Sequence, residues 1–207
     1  MFRFIMLFLS ISLGATLHLR WDSFSIHFSD IPNDSFPEKL SVIFVGDSIT
    51  CEGSRPRGFI TKIQSFLPIE HRVVCQKGAT SIEIVGLLEQ ASLPLNPTFI
   101  IAQSGINDLF NGGTKEQVFS SQSILFEKLA TKFPLSKLLF LPIYPLKSAN
   151  GTISEFPSLA PANFPVWWDD PSSFVQDSLL VDGVHLSAHG HSRLAKVIVH
   201  KIFSENS

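Results

Sequence analysis

The sequence predicts an α/β fold: a three-layer α/β/α sandwich on a mostly parallel sheet of about five strands, with helices on both faces. Two observations carry this. From about residue 38, short apolar runs alternate with stretches that repeat apolar residues at helical spacing. The connections between the runs are also long enough for the crossovers that parallel strands require.

The elements follow in order. The run "LSVIFVGD" stops at a glycine and an acid, just ahead of Ser48, and suits a strand buried on both faces. "RGFITKIQSFL" sets Phe59, Ile60, Ile63, Phe66 and Leu67 on one helical face, and Pro68 ends it. "HRVVCQ" is a second strand. Thr80 and Glu83 have capping-box spacing at the head of the helix "SIEIVGLLEQA". "PTFIIAQSG" is the third strand. Thr114 with Gln117 caps a third helix whose inner stripe includes Val118, Leu125 and Leu129. "KLLFLPI" is the fourth strand, and Ser187 caps a last helix carrying Leu194, Val197, Ile198 and Ile202. Between Tyr144 and Leu180 prolines are frequent and no helical period stands out; "FPVWWDD" is the candidate fifth strand. Residues 38–207 therefore read as one domain, 17–37 as an N-terminal extension and 1–16 as an apolar leading segment.

Composition narrows the function. The 207 residues are 44% hydrophobic and 16% charged, which argues against disorder. The net charge is −2 and no basic run occurs, so nucleic-acid binding lacks electrostatic support. A small, uncharged or weakly charged partner fits better, and some of the 19 phenylalanines are available to line an apolar pocket. Arg3 followed by the apolar stretch Phe4 to Leu13 and the small residues Gly14, Ala15 and Thr16 has the build of a secretory signal peptide. Export is the expectation; an uncleaved membrane anchor or a buried N-terminal element are the alternatives, and membrane association would run only through this segment. For Cys51 and Cys75 the expectation is two buried thiols, with a disulfide as the alternative if the chain is exported.

The polar residues fall in a pattern. Ser48 follows the first strand, Gly78 the second and Asn107 the third, while Asp182 and His185 precede the last helix. The carboxyl ends of parallel strands share one edge, where ligands bind, so positions distant in sequence can converge there. A serine hydroxyl is a weak nucleophile until a base takes its proton. An imidazole, which exchanges protons near neutral pH, is a suitable base. A tight "DGVH" turn can bring Asp182 to the other ring nitrogen of His185 and hold its tautomer. Acyl transfer also needs donors for the developing oxyanion; the Ser48 and Gly78 backbone N–H groups and the Asn107 amide are the right types.

Plainer roles compete. Ser48 alone would be taken for a helix cap, Gly78 for a turn glycine and Asp182 for a turn acid. Asn107 is assigned to function, Asp108 to structure and Asp47 to support of the turn. His185, His189 and His191 with Asp182 resemble a zinc set in type, but His189 and His191 would point to opposite sides of a helix; these two are expected at the surface or behind the site. Trp167 and Trp168 are candidates for an apolar substrate-binding lip or for core packing.

Four blocks, "FVGDSIT", "QKGATS", "SGIND" and "VDGVHLSAHGH", together resemble the SGNH or GDSL hydrolases. They span residues 41 to 191 in the family's order. The resemblance implies a flavodoxin-like α/β/α domain that hydrolyses carboxylic esters or thioesters. It implies Ser48 as nucleophile, His185 as base and Asp182 as its partner, with Ser48, Gly78 and Asn107 as oxyanion donors. It further implies a small-molecule acyl ester substrate, no metal and no organic cofactor. An acyltransferase using the same intermediate, or a glycan- or lipid-binding protein without turnover, are the rival functions. The proline-rich segment 144–165 departs from the family's usual regular helix and bears on substrate choice.

Overall fold

The computed structural model describes residues 39–141, 146–148, 151–153 and 179–204. The expected signal segment, the N-terminal extension, the candidate strand "FPVWWDD" and both Trp167 and Trp168 lie outside the described residues.

The described elements are β1 (Leu40–Gly46), α1 (Ser48–Gly53), α2 (Phe59–Phe66), β2 (Ile69–Cys75), α3 (Ser81–Gln90), β3 (Phe99–Gln103), α4 (Ile106–Phe110), α5 (Lys115–Lys132), β4 (Lys137–Leu141), β5 (Leu146–Ser148), β6 (Gly151–Ile153) and α6 (Ala188–Ser204). Four strands form one parallel sheet in the order β2-β1-β3-β4. The expected strand count of about five is corrected to four among the described residues. The segment expected to supply the fifth is not among them, and β5 and β6 pair antiparallel with each other instead of joining the sheet.

Side chains alternate across a strand, and the sheet divides its core accordingly. Leu40, Val42 and Phe44 of β1 point to one face with Phe99 and Ile101 of β3, against Phe59, Ile60 and Ile63 of α2 and Leu194, Ile198 and Ile202 of α6. Ile43 and Val45 point to the other with Ile100 and Ala102, against Ile84 and Leu88 of α3 and Leu125 and Leu129 of α5. Burying each such aliphatic or phenyl group contributes about 1.5–3 kcal/mol. That two-sided burial is why β1 and β3 read as unbroken apolar runs. Both expected capping boxes form, Thr80 with Glu83 and Thr114 with Gln117, and Ser187 Oγ accepts from Gly190 N at the head of α6.

Some expectations change. Phe66 is 37% exposed rather than part of the inner stripe of α2, because the helix ends there and the chain turns away at Leu67. Val197 is only half-buried. The expectation of two free thiols is overturned: Cys51 in α1 and Cys75 at the end of β2 form a disulfide with their Cα atoms 5.5 Å apart. Closing a chain separation of 24 residues, it is worth roughly 3 kcal/mol in the chain-entropy picture.

Candidate active site

In the sheet order, β2 lies on one side of β1 and β3 on the other. Strand order therefore reverses at β1, and the carboxyl ends at such a reversal are where open parallel sheets bind ligands. Ser48 leaves β1 at this point and Asn107 follows β3.

Ser48 is not the cap of α1; Asp47 is. Its Oδ1 accepts from Ile49 N at 3.0 Å, so Ser48 takes the first helical position, half-buried, with its hydroxyl unused by the helix end. Ser48 Oγ lies 3.0 Å from His185 Nε2, across 137 residues of sequence. His185 Nδ1 lies 2.7 Å from Asp182 Oδ2.

The local turn explains how an acid three residues away reaches the ring. Leu180 and Leu186 bridge, Val181 N donates to His185 O at 2.8 Å, and Gly183 takes a φ of +83° inside the loop, a backbone region open mainly to glycine. Asp182 Oδ1 then accepts from His185 N at 2.8 Å and from Val184 N at 3.0 Å, leaving Oδ2 for the ring. Burial by itself would raise the Asp182 carboxyl, but the His185 and Val184 N–H bonds and the His185 ring outweigh it and hold it at about 2. An ionised carboxylate can only accept, so Nδ1 carries the ring proton and Nε2 is left to accept from Ser48.

Asn107 ties the other strand ends together. Its Nδ2 donates to Ala79 O at 3.0 Å and lies 3.4 Å from Asp47 Oδ2. One amide thus touches the residue after Gly78 and the residue before Ser48. Gly78 is exposed, with φ +75° and open space where a Cβ would stand. Its neighbour Ala79 closes a turn back to Gln76 O. Asp108 accepts from Ser81 N at 2.9 Å and from Ser81 Oγ at 3.1 Å, which is the structural role expected of it.

Asp47 does more than support the turn. It is 1% exposed and also accepts from Gln103 Nε2 at 3.2 Å. Burial pushes its carboxyl up to about 6 against the pull of the Ile49 N–H, the Gln103 amide and the His185 ring; the Asp108 carboxylate pushes the same way. The sequence reasoning missed Gln103. Its signal was a polar amide closing the apolar run "FIIAQ". Of the two places expected for His191, at the surface or behind the site, the surface is ruled out: it is buried and stacks on Phe59 at 6.0 Å between ring centroids. His189 is exposed, as expected.

Together these groups amount to a hydroxyl in contact with an oriented imidazole. That arrangement can move a proton from an alcohol.

The same architecture recurs in solved structures. An acetyl xylan esterase matches at a TM-score of 0.63 and 21% identity, over 79% of this chain and 100% of that one. A member of the lipolytic protein G-D-S-L family from Veillonella parvula matches at 0.61 and 16%, over 78% and 97%. A GDSL-like lipase from Bacteroides thetaiotaomicron matches at 0.60 and 19%, over 80% and 88%. The chain shares the α/β fold of these GDSL-type structures. No family model and no curated protein matches it. At these identities the likeness establishes the α/β architecture, and the chemistry rests on the residues of this chain.

Proposed function

We propose that this GDSL-fold protein is a serine-dependent hydrolase of carboxylic esters or thioesters, acting through Ser48, His185 and Asp182 and an acyl-enzyme intermediate. The observation that carries it is the continuous contact from Ser48 Oγ through the His185 ring to Asp182, at 3.0 and 2.7 Å.

Ser48 Oγ attacks the carbonyl carbon while His185 Nε2 takes its proton, and Asp182 balances the imidazolium. The carbonyl oxygen becomes an oxyanion, accepting from the Ser48 and Gly78 N–H groups and from Asn107 Nδ2. Of the two Asn107 contacts, the one at 3.4 Å to Asp47 is the longer and the one an oxyanion displaces. Collapse breaks the bond to the leaving alcohol or thiol, which receives the proton from Nε2. Water then attacks the acyl-Ser48 carbonyl and gives its proton to His185; the acyl–Oγ bond breaks, Ser48 Oγ takes that proton back from Nε2, and the acid is released.

The resemblance of the four sequence blocks to SGNH hydrolases supports the reading, as do the esterase and lipases that share the fold. A disulfide suits an oxidising compartment, which supports export of the chain.

The test is labelling by a fluorophosphonate probe, followed by turnover of acyl esters graded from acetyl to long chains. Labelling at Ser48 that Ser48→Ala and His185→Ala abolish is expected, with hydrolysis of at least one ester. A folded protein that neither labels nor turns over would refute the proposal in favour of a binding protein. Transfer of the acyl group to an added alcohol in preference to water would make it an acyltransferase.

A further inference from the structure

The two cysteines lie where the proposed chemistry needs two separate pieces of chain to keep a fixed spacing. Cys51 is one turn along α1 from Ser48, and Cys75 ends β2 three residues before Gly78. Helix α1 has only six residues, too few to be stable alone, so its direction depends on what holds its ends. Asp47 holds the first end; the disulfide grips the middle.

On that side the loop from 76 to 78 is exposed. A Cβ at Gly78 would meet nothing within 4 Å, so packing takes hold of the chain only from Ala79, which is fully buried. Lys77 pairs with Glu52 of α1 at 3.2 Å, with the lysine side chain 51% exposed, and exposed pairs hold little. Gln76 N donates to Gly46 O at 3.3 Å, two residues short of Gly78. Asn107 holds Ala79, but from the α4 side.

We propose that the Cys51–Cys75 disulfide is a positioning element of the catalytic centre, holding the Gly78 N–H in line with the Ser48 alcohol and N–H. It rests on the hydrolase function proposed above, and neither sulfur touches the substrate. Both cysteines are half-buried, within reach of a small dithiol. Reduction passes two electrons and two protons from the dithiol to the pair, giving two thiols and the oxidised dithiol, and frees the loop from α1. Oxyanion donors act on the transition state, so their misplacement lowers kcat and leaves KM nearly unchanged.

The test compares wild type, dithiol-reduced wild type and the Cys51→Ala/Cys75→Ala double variant, all below their melting temperatures. The readouts are kcat and KM on an acyl ester and amide hydrogen exchange by peptide. The expected result is a fall in kcat of about 10- to 100-fold with KM within about threefold. Faster exchange is expected over 76–80, with β1 and β3 unchanged. Unaltered kcat and unaltered exchange over 76–80 would overturn the proposal. So would a kcat loss seen only where β1 and β3 also exchange faster, because the bond would then serve general stability. If the wild type itself hydrolyses no ester while exchange over 76–80 still rises on reduction, the hydrolase reading fails and the hold on the loop stands. Should the double variant fail to fold, the reduced wild type alone decides between these outcomes.

Discussion

Replacing Asn107 with Asp puts a carboxylate oxygen where Nδ2 now stands, 3.4 Å from Asp47 Oδ2. Two unit charges at that separation repel by about 5 kcal/mol at an effective dielectric of about 20. Water around the half-buried position 107 screens this to about 2–4 kcal/mol. Asp47 is already pushed to about 6 by burial, so the new pair shares one proton and its penalty is largest where both would ionise. The sign follows: Asn107→Asp is most destabilising above pH 7 and recovers as the pair protonates toward pH 5. Asn107→Ala also loses the bond to Ala79 but adds no charge, and the contact to Asp47 that it removes is long, at 3.4 Å, so its penalty changes far less between the two pH values. Thermal unfolding at pH 5 and pH 8 separates the two. At about 2–4 °C per kcal/mol for a domain of this size, the aspartate variant should lose roughly 5–15 °C more at pH 8 than at pH 5. Equal losses at both pH values would show that position 107 does not face Asp47, and the convergence of β1 and β3 ends on that amide would be wrong.

Gly46→Ala drives a Cβ into Thr50 Oγ1 and to 2.7 Å from the Gln103 carbonyl; a loss of about 3 kcal/mol or more in urea unfolding is expected. Gly78→Ala meets open space, so its cost is the left-handed backbone alone, about 1–2 kcal/mol by the same method. Ile198→Ala empties a fully buried position on α6 and should cost about 2–5 kcal/mol, leaving fluorophosphonate labelling of the folded fraction intact. Burial lowers His191, whose Nδ1 has no partner among the described residues. The unfolded chain therefore binds a proton below about pH 6.5 that the fold excludes, and stability falls as the pH drops through that value. His191→Phe should flatten this acid limb in melting temperatures measured from pH 8 to pH 5, and an unchanged slope would contradict the buried placement.

Much of the scaffold was legible because burial on both faces leaves a local mark. Runs such as "SVIFV" and "FIIAQ" are apolar without alternation, and both capping boxes are written within four residues of chain. Short helices α1 and α4 were not legible: five or six residues carry too little periodicity, and their existence depends on Asp47 and on the left-handed Gly105, with φ +105°, at their starts. Phe66 misled because helical spacing does not reveal that the chain turns away at Leu67. For His191 the sequence left surface and interior open, and only the packing of Phe59 against its ring decided for the interior.

The candidate site divides the same way. Residue types and their order along strand ends were enough to nominate Ser48, Gly78, Asn107, Asp182 and His185, since parallel strands bring their carboxyl ends to one edge whatever lies between. The Asp182–His185 contact was also within reach, being a matter of one tight turn. Pairings across long stretches of chain were decided by folding alone: Ser48 with His185, Asp47 with Gln103 and Asn107, and Cys51 with Cys75. Their partners lie 24 to 137 residues apart, and no local preference encodes a distance between groups that only the packing of helices on a sheet makes neighbours.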